Sequence, residues 1–343
     1  TAEFPRPDRN GKPQPPTVAH LWLPPDAKVV RGLLVGGKTL LEKRICTDRL
    51  IRDACVEKGL AILYFEPALD ALFAYAKNDS GRRLEEVLAA MARKSGRPEI
   101  EFAPMLTVGH STGGIFCRNV AFWKPHRVIG VIHVKSGNFQ DHIQDPKASI
   151  AGVPFLAING EFEEFGPAGG DLKGGLRSEY SLHPTDKTKR NQTQWVLIRM
   201  QIMDRRSRNP DNLMSLVVHR DSGHTNWDAA LSAICAQFVR SCADARIPAA
   251  PPAGREVHCK PLTAKDGWLS DADIKKPAHK SAPWADYAGD KLLAFWHVDK
   301  AMAEAVEKYH AGEWSAPDPT DGQPPQRRYV PPDLLRDKVD ARP

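Results

Sequence analysis

Apolar runs of strand length alternate with stretches of helical periodicity over most of this chain. After a proline-rich lead-in, Thr17 to Leu23 reads as a short strand closed by Pro24 and Pro25. Val29 to Val35 reads as a second strand, running into Gly36 and Gly37. Ile45 to Lys58 carries a helical pattern, Ala61 to Phe65 is a continuous apolar run, and Arg82 to Lys94 places Leu84, Val87, Leu88 and Met91 on one helical face. The alternation continues with strand Phe102 to Val108, helix Gly113 to Trp123, and strands Val128 to Val134 and Val153 to Asn159. An amphipathic segment from Trp195 to Arg206, strand Leu213 to His219 and helix Trp227 to Cys242 complete it. Strands apolar on both faces and separated by helices predict a parallel sheet whose two faces are both covered. The expected fold class is therefore α/β, a twisted, mostly parallel sheet with helices on both sides.

The pattern changes after Ala243. Thirteen of the 29 prolines lie from Pro248 onward, interleaved with Trp268, Trp284, Tyr287, Trp314 and Tyr329. One helix is expected there, capped by Asp290, striped by Leu292, Phe295, Trp296, Met302, Val306 and Tyr309, and ended by Gly312. Too few apolar runs remain for a separate core, so residues 244–343 are expected to wrap a main domain of residues 1–243.

With 343 residues, 41% hydrophobic and 26% charged, the chain has the composition of a globular protein and not of a disordered one. No run approaches the roughly 20 apolar residues that span a bilayer, so no membrane partner is expected. The net charge of +6 is scattered, and no basic aromatic stripe or dinucleotide-binding glycine pattern accompanies it, which argues against nucleic acid and nucleotide cofactors. The six cysteines form no C-x-x-C pair and no ligand cluster is evident, so neither a metal nor a cofactor is expected. Disulfides remain open, although Cys235 and Cys242, seven apart on one helix, are about 10.5 Å apart along its axis and too far to bridge. The chain opens at Thr1 without an apolar signal-like segment, which suggests a trimmed N-terminus and a secreted or periplasmic, soluble protein.

The chemistry concentrates where strand Phe102 to Val108 delivers Gly109-His110-Ser111-Thr112-Gly113 into a helix. In G-x-S-x-G the serine takes a sharp, strained strand-to-helix turn, and the flanking glycines let strand and helix approach. A serine hydroxyl is a weak nucleophile, so the motif requires a histidine base and an acid to orient it. His224, in Ser222-Gly223-His224 between the last core strand and helix, is the expected base. His110 and His133 fall inside the elbow and a strand, and read as structural. Glu163, three residues beyond Gly160, is the expected acid, with Glu161 and Glu164 as alternatives and Asp141 a lesser one. The oxyanion donors are expected from the Thr112 amide at the helix start and from the Gly36-Gly37-Lys38 turn, with Gly37 and Lys38 as candidates.

With these residues in this order, Ser111, Glu163, His224, the chain resembles the α/β-hydrolase superfamily, and specifically its serine esterases. The resemblance covers about residues 17–242. It implies an acyl-enzyme on the serine and no cofactor. The glutamate departs from the commoner aspartate. The tail after Ala243 loosely resembles C-terminal extensions of some secreted bacterial hydrolases. Lys173, Arg177, Lys187, Lys189 and Arg190 give residues 166–190 a basic, Gly-rich character suited to a rim around the site. The expected substrate is a small-molecule or carbohydrate ester, acetyl or feruloyl groups on plant polysaccharides suiting an exported enzyme. An amidase, peptidase or lipase with the same triad, or a hydrolase-like binding protein, is the alternative.

Overall fold

The computed structural model describes residues 1–6, 13–37, 41–137, 139, 144–145, 147–161, 194–220 and 222–313. Eight strands form one sheet: β1 (Ala2–Phe4), β2 (Thr17–Trp22), β3 (Gly32–Gly36), β4 (Leu60–Glu66), β5 (Met105–His110), β6 (Val128–Val134), β7 (Phe155–Gly160) and β8 (Met214–His219), in the order β1-β2-β4-β3-β5-β6-β7-β8. The pairs from β4 through β3 to β8 are parallel, and β1 and β2 add an antiparallel edge. Strands β5 to β8 are buried at every position, as crossover helices on both faces require. The fold is the helix-covered, mostly parallel α/β sheet that the sequence pattern implies.

Alternate side chains of each strand feed two apolar layers. On one face, Leu34, Ile62, Leu106, Ile132, Leu156 and Val217 meet α1 (Glu42–Thr47), α2 (Arg49–Lys58) and α6 (Ala229–Arg246). On the other, Leu33, Val35, Met105, Val131, Phe155 and Leu216 meet α3 (Ser80–Ser95), α4 (Thr112–Trp123) and α5 (Gln194–Arg208). The expected single helix from Ile45 to Lys58 is split at Asp48. Its extended backbone breaks the run, and its carboxylate caps α2 by accepting from the Leu50 and Ile51 amides.

The C-terminal segment forms a small antiparallel sheet, β9 (Trp268–Ser270), β10 (Ala282–Pro283) and β11 (Phe295–His297), followed by α7 (Lys300–Ala311). The expected helix start at Asp290 is thus corrected. Asp290 closes only a turn through the Leu292 amide, and Phe295, Trp296 and His297 are buried strand residues paired with β9. Asp299 is the true cap, accepting from the Met302 amide at 2.8 Å, and Gly312 ends the helix in the left-handed region, as expected. Leu269, Trp296, Met302, Val306 and Tyr309 share a core with α6, which itself runs past residue 243 to Arg246.

Two buried arginines tie this segment down. Arg206 donates to the carbonyls of Ala294 and Lys291, and Arg246 to those of Gly152, Lys260 and Val128. His310 Nε2 accepts from the Val218 amide at 3.1 Å, satisfying a main-chain donor of β8, the last strand of the sheet. Among the described residues no helix is long and apolar enough to cross a membrane. All six cysteines are free, buried thiols.

Candidate active site at the carboxyl ends of the parallel strands

Parallel α/β sheets present their chemistry beyond the carboxyl ends of the strands, and here β5, β6, β7 and β8 converge there on one loop. Ser111 joins β5 to α4 with φ 57° and ψ −126°, a conformation that L-residues rarely hold. A Cβ on Gly109 would sit 2.0 Å from the Gly113 carbonyl oxygen and 2.7 Å from Cys117 Sγ, so glycine is required for this close approach. The Ser111 amide donates to the Val134 carbonyl at 3.0 Å, tying the turn to β6. Thr112 is the first residue of α4, where helix amides point outward.

His110 is buried, and its main-chain amide donates to Glu42 Oε1 at 2.9 Å. Its ring Nε2 lies 2.7 Å from the His224 carbonyl oxygen, and the two imidazoles stand 4.6 Å apart, centroid to centroid. A carbonyl only accepts, so His110 carries its proton on Nε2. The contact brings the His224 loop against the residue that precedes Ser111 in the turn. The His110 ring is thus spent on the main chain of the His224 loop.

The same loop is gripped from β6 by Lys135, which no sequence pattern singles out. Lys135 is fully buried with φ 46°. Its ammonium donates to the carbonyls of Gly223 and Asn226, the latter at 2.7 Å, and lies 3.3 Å from Ser222 Oγ. Three acceptors match the three donors of an ammonium group. From β7, Gly160 leaves room for the loop: a Cβ there would meet the Ser222 carbonyl at 2.5 Å. Within the loop, Gly223 N–H donates to Asn226 Oδ1.

At the end of β8, His219 donates from Nε2 to Asp228 at 2.8 Å, and Asp228 also caps α6 through the Leu231 amide. Burial lowers the His219 pKa against the opposing pull of Asp228, whose own pKa falls below the usual carboxylate value despite its burial because His219 donates to it. His133, the other structural expectation, lies fully buried in β6 between Phe139 and Phe155, and burial with nearby Arg118 drives its pKa far down.

The remaining candidates divide. Glu161 follows β7 directly, donates its amide to the His219 carbonyl at 2.9 Å, and lines a cavity of about 390 Å³ with Trp195, Val218, Arg220, Ile274, Lys275 and His310. Gly37 is packed so closely on α4 that a Cβ would lie 2.2 Å from Phe116. Its amide is spent on the Val108 carbonyl at 3.2 Å, so Gly37 serves close approach and its donor is already engaged. Lys38, Asp141, Glu163, Glu164 and the basic rim Lys173, Arg177, Lys187, Lys189 and Arg190 lie outside the described residues.

Among solved structures, the chain is similar to an S-formylglutathione hydrolase from Agrobacterium tumefaciens, at 13% identity over 67% of this chain and 94% of that one, with a TM-score of 0.42. It is similar to a siderophore hydrolase from Aspergillus nidulans at 9% identity over 70% and 93%, TM-score 0.47. A serine hydrolase without a lid from Xanthomonas campestris matches at 15% identity over 73% and 95%, TM-score 0.42. No family model matches the sequence, and no curated protein does.

Proposed function

We propose that this chain is a serine carboxylic ester hydrolase. The observation that carries the reading is Ser111, held in a strained strand-to-helix turn with His224 brought against that turn by the His110 contact. In this reading His224 removes the Ser111 proton as the hydroxyl attacks the ester carbonyl, then returns it to the departing alcohol. An acid beyond β7 orients the imidazole. Glu163 is the proposed acid, with Glu161 and Glu164 as the alternatives.

The Thr112 amide, at the positive end of α4, stabilises the tetrahedral oxyanion. The Lys38 amide is the proposed second donor, since that of Gly37 is engaged. Water, activated by His224, then cleaves the acyl-enzyme. Residues 1–243 form the catalytic domain in this proposal, and residues 244–343 an extension over it. Acetyl or feruloyl esters of plant polysaccharides are the proposed substrates of an exported enzyme.

The test is hydrolysis of p-nitrophenyl acetate and of acetylated and feruloylated oligosaccharides by the native chain and Ser111→Ala. Turnover by the native chain alone supports the esterase. Cleavage of the aryl ester with nothing released from the oligosaccharides removes the carbohydrate assignment, and a folded native chain inert to every ester removes the reading itself.

A further inference from the structure

At the opposite end of the parallel strands from the elbow, three metal-ligating side chains meet. His126 lies on the short turn Pro125–Arg127 that leads into β6, and Glu256 and His258 come from the C-terminal segment, 130 or more residues away. This segment is held along the turn by main-chain bonds: Val257 N–H donates to the Phe102 carbonyl at 3.0 Å and Cys259 N–H to the His126 carbonyl at 2.7 Å. Side chains alternate in extended chain. Val257 and Cys259 therefore turn inward and are buried, while Glu256 and His258 share the outer face with His126.

The donor atoms have the spacing of a coordination shell. His126 Nε2 is 2.7 Å and His258 Nε2 3.6 Å from the same carboxylate oxygen, Glu256 Oε1, and all three atoms lie within 4.8 Å of one another. Ligands at zinc bond lengths in a tetrahedron stand about 3.3 Å apart, which those two distances bracket. The other carboxylate oxygen, Oε2, is fixed by Lys124 at 2.6 Å and Arg127 at 3.4 Å, leaving Oε1 aimed at the imidazoles. Outer partners of this kind orient a carboxylate ligand. The charge of Lys124 is shared with Glu85, 2.6 Å away, so two cations and two carboxylates precede any bound ion. The two imidazoles are exposed, which leaves the fourth position open to water.

We infer that His126, Glu256 and His258 form a binding site for a borderline divalent cation of the zinc type, which staples the C-terminal segment to the turn before β6. Binding displaces the hydrogen-bonding proton between His126 and Glu256. Sequence reading finds no ligand cluster because the three residues come from segments that only the fold joins. The site is independent of the esterase proposal.

The experiment is calorimetric titration of the chelator-treated full chain with zinc chloride, paired with thermal melts, for the native protein, His258→Ala and His126→Gln. His258 is well exposed, so its loss leaves the fold in place, and the glutamine side chain introduced by His126→Gln retains a donor for Glu256. One zinc per native chain, a higher Tm with zinc, and a Kd raised at least about tenfold in both variants are expected. No stoichiometric uptake by the native chain, or native-like affinity in His258→Ala, overturns the site.

Discussion

His110 Nε2 lies 2.7 Å from the main-chain oxygen of His224, so the residue that precedes Ser111 holds the loop that carries the proposed base. Removing that donor in His110→Ala takes one anchor from the main chain of the loop that carries His224. Small displacements of a reacting group cost up to about a hundredfold in rate. The expected outcome is a fall in kcat of about tenfold to a hundredfold with KM little changed, and partial rescue in His110→Gln, which restores a donor. Steady-state kinetics on an aryl ester measures both.

Lys135→Met removes all three donors from the loop at 222–226 while filling similar volume. Two carbonyls and a hydroxyl then lose their buried partner. Leaving a buried neutral acceptor without its donor costs about 1–3 kcal/mol. Urea unfolding should show a loss of this order together with slower ester turnover.

Ser111 at φ 57° stores strain of about 1–3 kcal/mol in a non-glycine residue. Ser111→Gly should therefore be more stable than Ser111→Ala by an amount in that range, with both variants inactive. Gly109→Ala should fail to fold, because its Cβ meets the Gly113 carbonyl. Differential scanning calorimetry of the three variants checks the order.

Acid should weaken the fold through its buried histidines. Burial, with the charge of Arg220, lowers the His310 pKa to about 3, and burial, with His310 and Arg206 nearby, lowers His297 to about 3. A depressed histidine binds fewer protons when folded than when unfolded, so its contribution is full above the unfolded pKa of about 6.5 and is lost progressively as pH falls toward 3. From pH 7 to pH 5 each of the two costs about 2 kcal/mol. His310→Gln does not titrate and keeps an acceptor for the Val218 amide, so the difference in urea stability between pH 7 and pH 5 should shrink by about 2 kcal/mol in that variant.

The parallel sheet and the elbow are legible in the sequence because both rest on local pattern. Continuous apolar runs such as Val128–Val134 mark strands buried on both faces, and G-x-S-x-G fixes one turn. The C-terminal helix is misplaced by pattern alone because Phe295 and Trp296 fit a helical stripe with Met302 as well as they fit a strand, and only pairing with β9 decides between the two. Lys135 and Glu42 escape sequence reading for a different reason. A buried charge is recognised by its partners, and theirs are 87 to 91 and 68 residues away in the chain. The same holds for the Gly37 amide, whose acceptor Val108 lies on another strand.

The most direct test of Ser111 as an activated nucleophile is intact-mass analysis after exposure to a serine-reactive fluorophosphonate, comparing the native chain with Ser111→Ala. A single adduct on the native chain, absent from Ser111→Ala and strongly slowed in His224→Ala, is the expected result. A folded native chain that gains no mass, or an adduct that persists in Ser111→Ala, contradicts the proposed mechanism.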